Sequence, residues 1–362
     1  MIHLRHECVI CKKNNFTEIL THKKYPIISH NTDSPAPDDV FYDMHVVACT
    51  ACGCSQLKYT VDSELIYNNN YRSAGYSSVI KKHDESFSNF IHNNTTESSF
   101  LEVGSNNGNI YKLLSAQRQI EYTVVDMFRG AELSDEVIFI QGNCEEIDLS
   151  NYNTVILSHV FEHLIDPDLF LNRLVSKTLF VSIPNFDYEM ETGYVNILNT
   201  QHTFYCGYNH IIYLMARHGY QCEKFDTFIN FASMFKFVKR SGEIIQISPE
   251  YSINRIRALY SIYSNKIEIN EPCFVYPTGY PGQYIYYHAT NVQNIIGFLD
   301  GDSKKTGTRL YGTELICFYP DKLLDYIGNP VDVIVCQSYF QSEILQKLEL
   351  YKHCIKKLIV IK

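Results

Sequence analysis

Between Ser98 and Leu114 the chain reads Ser-Ser-Phe-Leu-Glu-Val-Gly-Ser-Asn-Asn-Gly-Asn-Ile-Tyr-Lys-Leu-Leu. A short apolar run carries Glu102, Gly104 and Gly108 follow four residues apart, and Ile110, Leu113 and Leu114 then fall at helical spacing. The pattern is a strand, a tight turn and a helix, and glycine at such a turn lets backbone approach a ligand closely. Two common ligands are excluded by what is missing. A phosphate-cradling loop closes on Gly-Lys-Ser/Thr, and a dinucleotide loop needs glycine where Asn106 stands. What remains is E-x-G-x-x-x-G.

The next segments repeat the alternation. Glu-Tyr-Thr-Val-Val-Asp, ending at Asp126, is an apolar strand with an acid at its tip, placed to accept both hydroxyls of a ribose. Val137–Asp148 gives a third strand and a turn containing Gly142, Asn143 and Cys144. Asn153–Leu171 holds a fourth strand ending at Ser158, then His159 and the string His-Val-Phe-Glu-His-Leu-Ile-Asp-Pro, then a helix. Lys177–Asn185 is a fifth strand. Strands alternating with helices from Phe100 to Pro184 predict an α/β fold with a doubly wound parallel sheet. His163, on the helix side of the fourth strand, reads as structural.

These stretches resemble the class I S-adenosylmethionine-dependent methyltransferases. The resemblance implies a cofactor site made by Glu102, Gly104, Asn106, Gly108, Asp126, Asn143, Cys144, Ser158 and His159. The glycine turn would lie beneath the methionine part, Asp126 on the ribose, and Gly142, Asn143 and Cys144 along the adenine.

The cysteines add a second constraint. Five of the 12 fall in the first 54 residues. Cys8-Val-Ile-Cys11 and Cys49-Thr-Ala-Cys52 are two knuckles about 37 residues apart. Two such pairs offer four thiolates to one tetrahedral ion, and zinc suits them. A site closed by four sulfurs is structural. Cys54 competes for the fourth place, and His45 reads as surface. Between the knuckles, Ile-Ser-His-Asn-Thr-Asp-Ser-Pro-Ala-Pro-Asp-Asp is a polar turn region.

From Cys8 to about Leu348 the order of parts resembles the sugar C-methyltransferase family. It implies a zinc-binding module over 1–70, a methyltransferase core over 71–240, and a C-terminal Rossmann-like α/β domain over 241–362. The last contains Gly279 and Gly282 in a strand-turn-helix stretch, and Asp300, Lys304 or Lys305, and Gly307 in a second. The family's acceptor is a nucleotide-linked keto-deoxysugar, and enolisation beside its ketone needs a base and a donor facing the oxyanion. The family reads Tyr-His-Glu-His here, which aligns with Asn199, Thr200, Gln201 and His202. His202 is therefore the candidate base and Asn199 a hydrogen-bond donor. Gln201 cannot carry charge. Tyr71, with Tyr76 competing, resembles the family's aromatic cap over the cofactor. His83 reads as solvent-facing on the helix joining module to core.

The resemblance implies carbon methylation, with S-adenosyl-L-methionine and Zn2+ as cofactors. A sugar O-methyltransferase, needing only one base, and a degenerate cofactor- or sugar-nucleotide-binding protein are the alternatives. The formal charge of −9, without a basic block, argues against nucleic acid. No run approaches the roughly 20 apolar residues that span a bilayer. A cytoplasmic monomer or homodimer is expected.

Overall fold

The computed structural model describes residues 2–67, 78–105, 107–192, 199–240, 247–336 and 338–361. Seven strands form the central sheet: β1 (Ser99–Val103), β2 (Glu121–Asp126), β3 (Ile138–Gln141), β4 (Thr154–Ser158), β5 (Thr178–Pro184), β6 (Tyr220–Phe228) and β7 (Ala232–Lys239). Their spatial order is β3-β2-β1-β4-β5-β7-β6. The first five are parallel to one another, as expected, and β7 runs antiparallel between β5 and β6. This is an α/β sheet in which five parallel strands are followed by an antiparallel pair. The β6–β7 hairpin lies beyond the alternation read from the sequence.

Strand periodicity sorts the side chains between two layers. Phe100, Val124, Ile156 and Phe180 face helices α1 (Ser78–Asn94) and α2 (Asn109–Ser115), meeting Phe87, Ile91 and Leu114. Leu101, Val155, Leu157 and Val181 face the other way, onto helices α3 (Pro167–Arg173) and α5 (Tyr208–Arg217), with α4 (Phe186–Thr192) lying between these two in sequence. The same parity turns Glu102 toward the α1–α2 layer. His83 corrects the sequence reading. It is 1% exposed, and its Nε2 lies 2.8 Å from Ser182 Oγ. His83, Phe87 and Ile91 share the stripe at i, i+4 and i+8, so the helix buries the imidazole with the apolar face.

A second sheet contains β8 (Cys273–Tyr276), β9 (Ile295–Leu299), β10 (Cys317–Phe318), β11 (Val331–Cys336) and β12 (Ile355–Ile361), all parallel, in the order β10-β9-β8-β11-β12. The N-terminal hairpin, Phe16–Pro26 with Phe41–Cys49, packs against this unit: Tyr25, Ile27 and Met44 share one core with Ile256, Tyr284 and Phe298.

The region read as a polar turn is partly buried. Asn31–Thr32 pairs antiparallel with Arg309–Leu310. Asp39 accepts from Arg309 through both oxygens, at 2.6 and 2.7 Å. Asn31, Thr32 and Asp39 are thus engaged across a contact, while Asp33 and Asp38 of the same segment are exposed.

Candidate functional site

The carboxyl edge of the central sheet gathers most of the sequence-derived cofactor residues. Gly104 donates to Val125 O at 2.8 Å, which sets the glycine turn beside the tip of β2, where Asp126 stands half-buried. Gly142 in turn donates to Asp126 O at 2.9 Å, bringing the Gly142–Cys144 turn to the same edge. Gly104 has φ +70°, and a Cβ built there would lie 2.4 Å from Val160 Cγ2. Gly108 caps α2 at φ +71°, with Leu133 Cδ1 2.6 Å from the corresponding position. Both glycines are thus required twice over, by backbone conformation and by space.

Glu102 lies beneath this turn and is 2% exposed. Burial pushes its carboxyl up to about 8, although Tyr122 donates to it at 3.0 Å. It holds a proton near neutrality and serves as a local anchor. Asn143 Oδ1 accepts from Glu145 N at 3.0 Å, closing its own turn. Burial raises the Cys144 thiol far above its ordinary range. His159 follows β4 directly, in a left-handed conformation, φ 53°. Asn106, Tyr71 and Tyr76 lie outside the described residues.

A small cleft opens past the tips of β4 and β5. Its walls include Glu162, Phe186, Glu189, His202 and Tyr205. Burial, reinforced by neighbouring His163, lowers His202 to about 3, so its imidazole is neutral at pH 7. The rings of His202 and His163 meet edge to face, 4.8 Å between centroids. His163 Nδ1 is held 2.9 Å from the Tyr67 hydroxyl, and the Gln201 backbone also faces this ring. Burial works against ionisation of Glu162, but the hydrogen bond from His159 and the positive charge that His163, His159 and His202 carry when protonated outweigh burial and hold it at about 2.

Glu189, on α4, behaves oppositely. Burial raises it to about 8, with partial relief from the Tyr339 hydroxyl at 3.2 Å. Two carboxyl groups of one cleft are therefore driven apart, one ionised and one protonated. Tyr339 belongs to the C-terminal unit, which accordingly reaches the cleft wall.

The stretch aligned with the family's Tyr-His-Glu-His divides by role. Asn199 Oδ1 accepts from Gln201 N at 3.1 Å, a local turn that leaves only its amide NH2 to donate. Thr200 turns away, bonded to Ser29 Oγ at 3.0 Å and Ile27 O at 3.1 Å. His202 alone of the four lines the cleft. Glu162 and Glu189 were not singled out from the sequence. The adjacency of Glu162 to His163 was a visible signal. Glu189 reads as an ordinary acid of a polar helix until Tyr339, 150 residues later, closes over it.

The four knuckle cysteines converge. Cys8 and Cys52 sulfurs are 3.5 Å apart, and those of Cys11 and Cys49 are 3.6 Å apart. A tetrahedral ion about 2.3 Å from each sulfur requires edges of about 3.8 Å. Each knuckle ends in a left-handed residue, Lys12 at φ 59° and Gly53 at φ 79°, so the two present their sulfurs in the same way. Cys54 points elsewhere, toward Tyr205 O at 3.6 Å, and does not join the four. His45 is bonded to Thr21 Oγ1 at 3.0 Å, away from them.

No family model matches the chain, and no curated protein matches it. Solved structures do. Burkholderia thailandensis 1,6-didemethyltoxoflavin-N1-methyltransferase, bound to 1,6-didemethyltoxoflavin and S-adenosylhomocysteine, is similar at 12% identity over 52% of this chain and 96% of that one, TM-score 0.37. The methyltransferase domain of bacterial CtHen1-C is similar at 16% identity, 45% and 100% coverage, TM-score 0.37. The plantazolicin methyltransferase BpumL, in complex with S-adenosylhomocysteine, is similar at 13% identity, 45% and 84% coverage, TM-score 0.36.

Proposed function

We propose that the chain is an S-adenosylmethionine-dependent methyltransferase whose acceptor is a nucleotide-linked keto-deoxysugar, methylated on carbon. One observation carries this reading: the glycine turn and Asp126 stand side by side at the carboxyl edge of a sheet in which five parallel strands are followed by an antiparallel pair. The neighbours of β1 are β2 on one side and β4 on the other, so this edge is a topological switch point, where open α/β sheets bind ligands. The cofactor would lie across the tips of β1, β2 and β3, and the acceptor in the cleft past β4 and β5. A sulfonium methyl directed from the first toward the second needs only an aligned, deprotonated acceptor. His202 meets the acceptor from the cleft wall. Zinc on Cys8, Cys11, Cys49 and Cys52 would be structural.

Calorimetric titration with S-adenosylhomocysteine tests the cofactor assignment. The expected outcome is a single site, weakened at least tenfold by Asp126→Ala; no heat with either S-adenosylmethionine or S-adenosylhomocysteine refutes it. Labelled cofactor with a panel of nucleotide sugars then tests the acceptor. Solvent deuterium entering beside the ketone during turnover marks carbon methylation, whereas methyl transfer without exchange assigns the oxygen acceptor.

A further inference from the structure

Glu162 presents an unresolved electrostatic demand. It is 4% exposed, and its only ion pair among the described residues is His159 Nδ1 on Oε1, at 3.3 Å. Its second oxygen, Oε2, is buried and has no hydrogen-bond partner. Buried carboxylate oxygens are rarely left so, because each has lost its water. No lysine or arginine is paired with it among the described residues. Two imidazoles stand beside it instead. One ligand atom each from Glu162, His163 and His202 lies within 4.8 Å of the other two.

We infer that Glu162, His163 and His202 form a divalent-cation site on the acceptor side of the cleft, separate from the four cysteines. The donor set is two imidazoles and one carboxylate, which suits Mn2+, Fe2+, Co2+ or Zn2+ and leaves coordination positions open. Ligands about 2.1 Å from one ion stand roughly 3–4.2 Å from each other, so sub-ångström side-chain adjustment closes the site. The surroundings brace it as metal ligands are usually braced. His159 steadies Glu162 through Oε1, and the Tyr67 hydroxyl fixes the His163 ring through Nδ1. Glu162 and His202 both line the cleft, so the open positions face whatever occupies it. The ligand expected there is an oxygen of the acceptor, a ketone or hydroxyl that a cation polarises. That last step rests on the methyltransferase reading; cation binding itself does not. In this arrangement the lone pair of His202 is given to the ion and not to a proton.

Mn2+ separates the two metal sites, because four thiolates disfavour it and imidazole–carboxylate sets accept it. Full-length protein as purified, with zinc content measured, is titrated with Mn2+ and free ion is followed by electron paramagnetic resonance. One equivalent is expected to bind to the wild type, at least tenfold weaker in Glu162→Gln and in His202→Gln, with zinc content unchanged. S-adenosylhomocysteine titration and a thermal melt of each variant confirm that the fold is kept. No Mn2+ binding to the wild type at millimolar concentration, or equal binding to the wild type and both folded variants, overturns the inference. Retained S-adenosylhomocysteine binding without Mn2+ binding removes the cation site alone. Mn2+ binding without cofactor binding removes the methyltransferase reading alone.

Discussion

Gly104 offers a test in which two physical effects at one atom are separable. Alanine there must adopt φ +70°, which costs about 1–2 kcal/mol for an L residue. Its Cβ would also lie 2.4 Å from Val160 Cγ2, far inside contact distance, and relieving that overlap costs about 1–3 kcal/mol more. The expected loss for Gly104→Ala is thus about 2–5 kcal/mol, a large part of the ~5–15 kcal/mol stability of a typical domain. Only the overlap depends on Val160. Val160→Ala alone leaves a small cavity and costs about 1 kcal/mol. In the double variant the overlap is gone and the backbone cost remains. The double-mutant cycle therefore has a favourable coupling energy of about 1–3 kcal/mol. Urea unfolding of the four proteins, with the slope held common, gives the cycle, and S-adenosylhomocysteine titration reports the turn itself. Cofactor affinity is expected to stay reduced in the double variant, because the turn conformation is still opposed. Additivity within about 0.5 kcal/mol would refute the steric account, and an undiminished stability of Gly104→Ala would refute both.

Asp39→Ala leaves the Arg309 guanidinium, 8% exposed at its side chain, without its bidentate partner, and a loss of about 3–5 kcal/mol is expected by chemical unfolding; a loss under about 1 kcal/mol contradicts the pairing. Glu102 keeps its proton in the fold up to about 8 against an ordinary 4.5, so the unfolded chain releases the proton first. Its contribution is complete below about 4.5 and disappears as pH rises through about 8. Unfolding free energy should fall over that window by up to several kcal/mol, and Glu102→Gln should flatten the fall; identical pH profiles would contradict the buried acid. Cys54→Ser should keep one zinc per chain by metal analysis, since its sulfur faces Tyr205 O, and loss of the ion would place Cys54 among the ligands.

Local chemistry accounts for what was legible in the sequence. Gly104 and Gly108 had to be glycine for reasons confined to one turn and its nearest neighbours, and the period-two burial of Phe100, Leu101, Val155 and Ile156 is written in consecutive letters. The knuckles were legible because each pair of sulfurs is positioned by its own short loop. What escaped depends on distant partners. Asn31 and Asp39 look solvated until Thr278 and Arg309 arrive from the C-terminal unit. Glu189 looks exposed until Tyr339 covers it. His83 is a different case: its stripe with Phe87 and Ile91 at i, i+4 and i+8 is present in the sequence, and that position decides its burial. The alignment of Asn199–His202 on a family motif supplied one cleft residue, His202, and left unread that Thr200 is a tie to Ser29.

The knuckles and the cleft are joined by a single strand, which makes their coupling testable. Phe204–Tyr205, beginning two residues after His202, pairs antiparallel with Gln56 and Ser55, immediately after Cys54. Leu57 N donates to Thr203 O at 3.0 Å along the same run. The knuckles are themselves docked on helix α5: Arg217 reaches Ile10 O at 2.9 Å, and His210 Nε2 meets Cys52 O at 2.7 Å. An ion on the four sulfurs would therefore fix one end of the strand that carries the cleft wall. The cofactor edge is held differently, by the ladder between β1 and β2 and the turns after it. Cys8→Ser is accordingly expected to lose zinc and raise the acceptor KM severalfold, while S-adenosylhomocysteine affinity changes less than about threefold. Steady-state kinetics beside calorimetry distinguishes the two sites. Equal losses of acceptor and cofactor binding would mean that the ion supports the whole core, and an unchanged acceptor KM in zinc-free protein would mean that the strand is held without it.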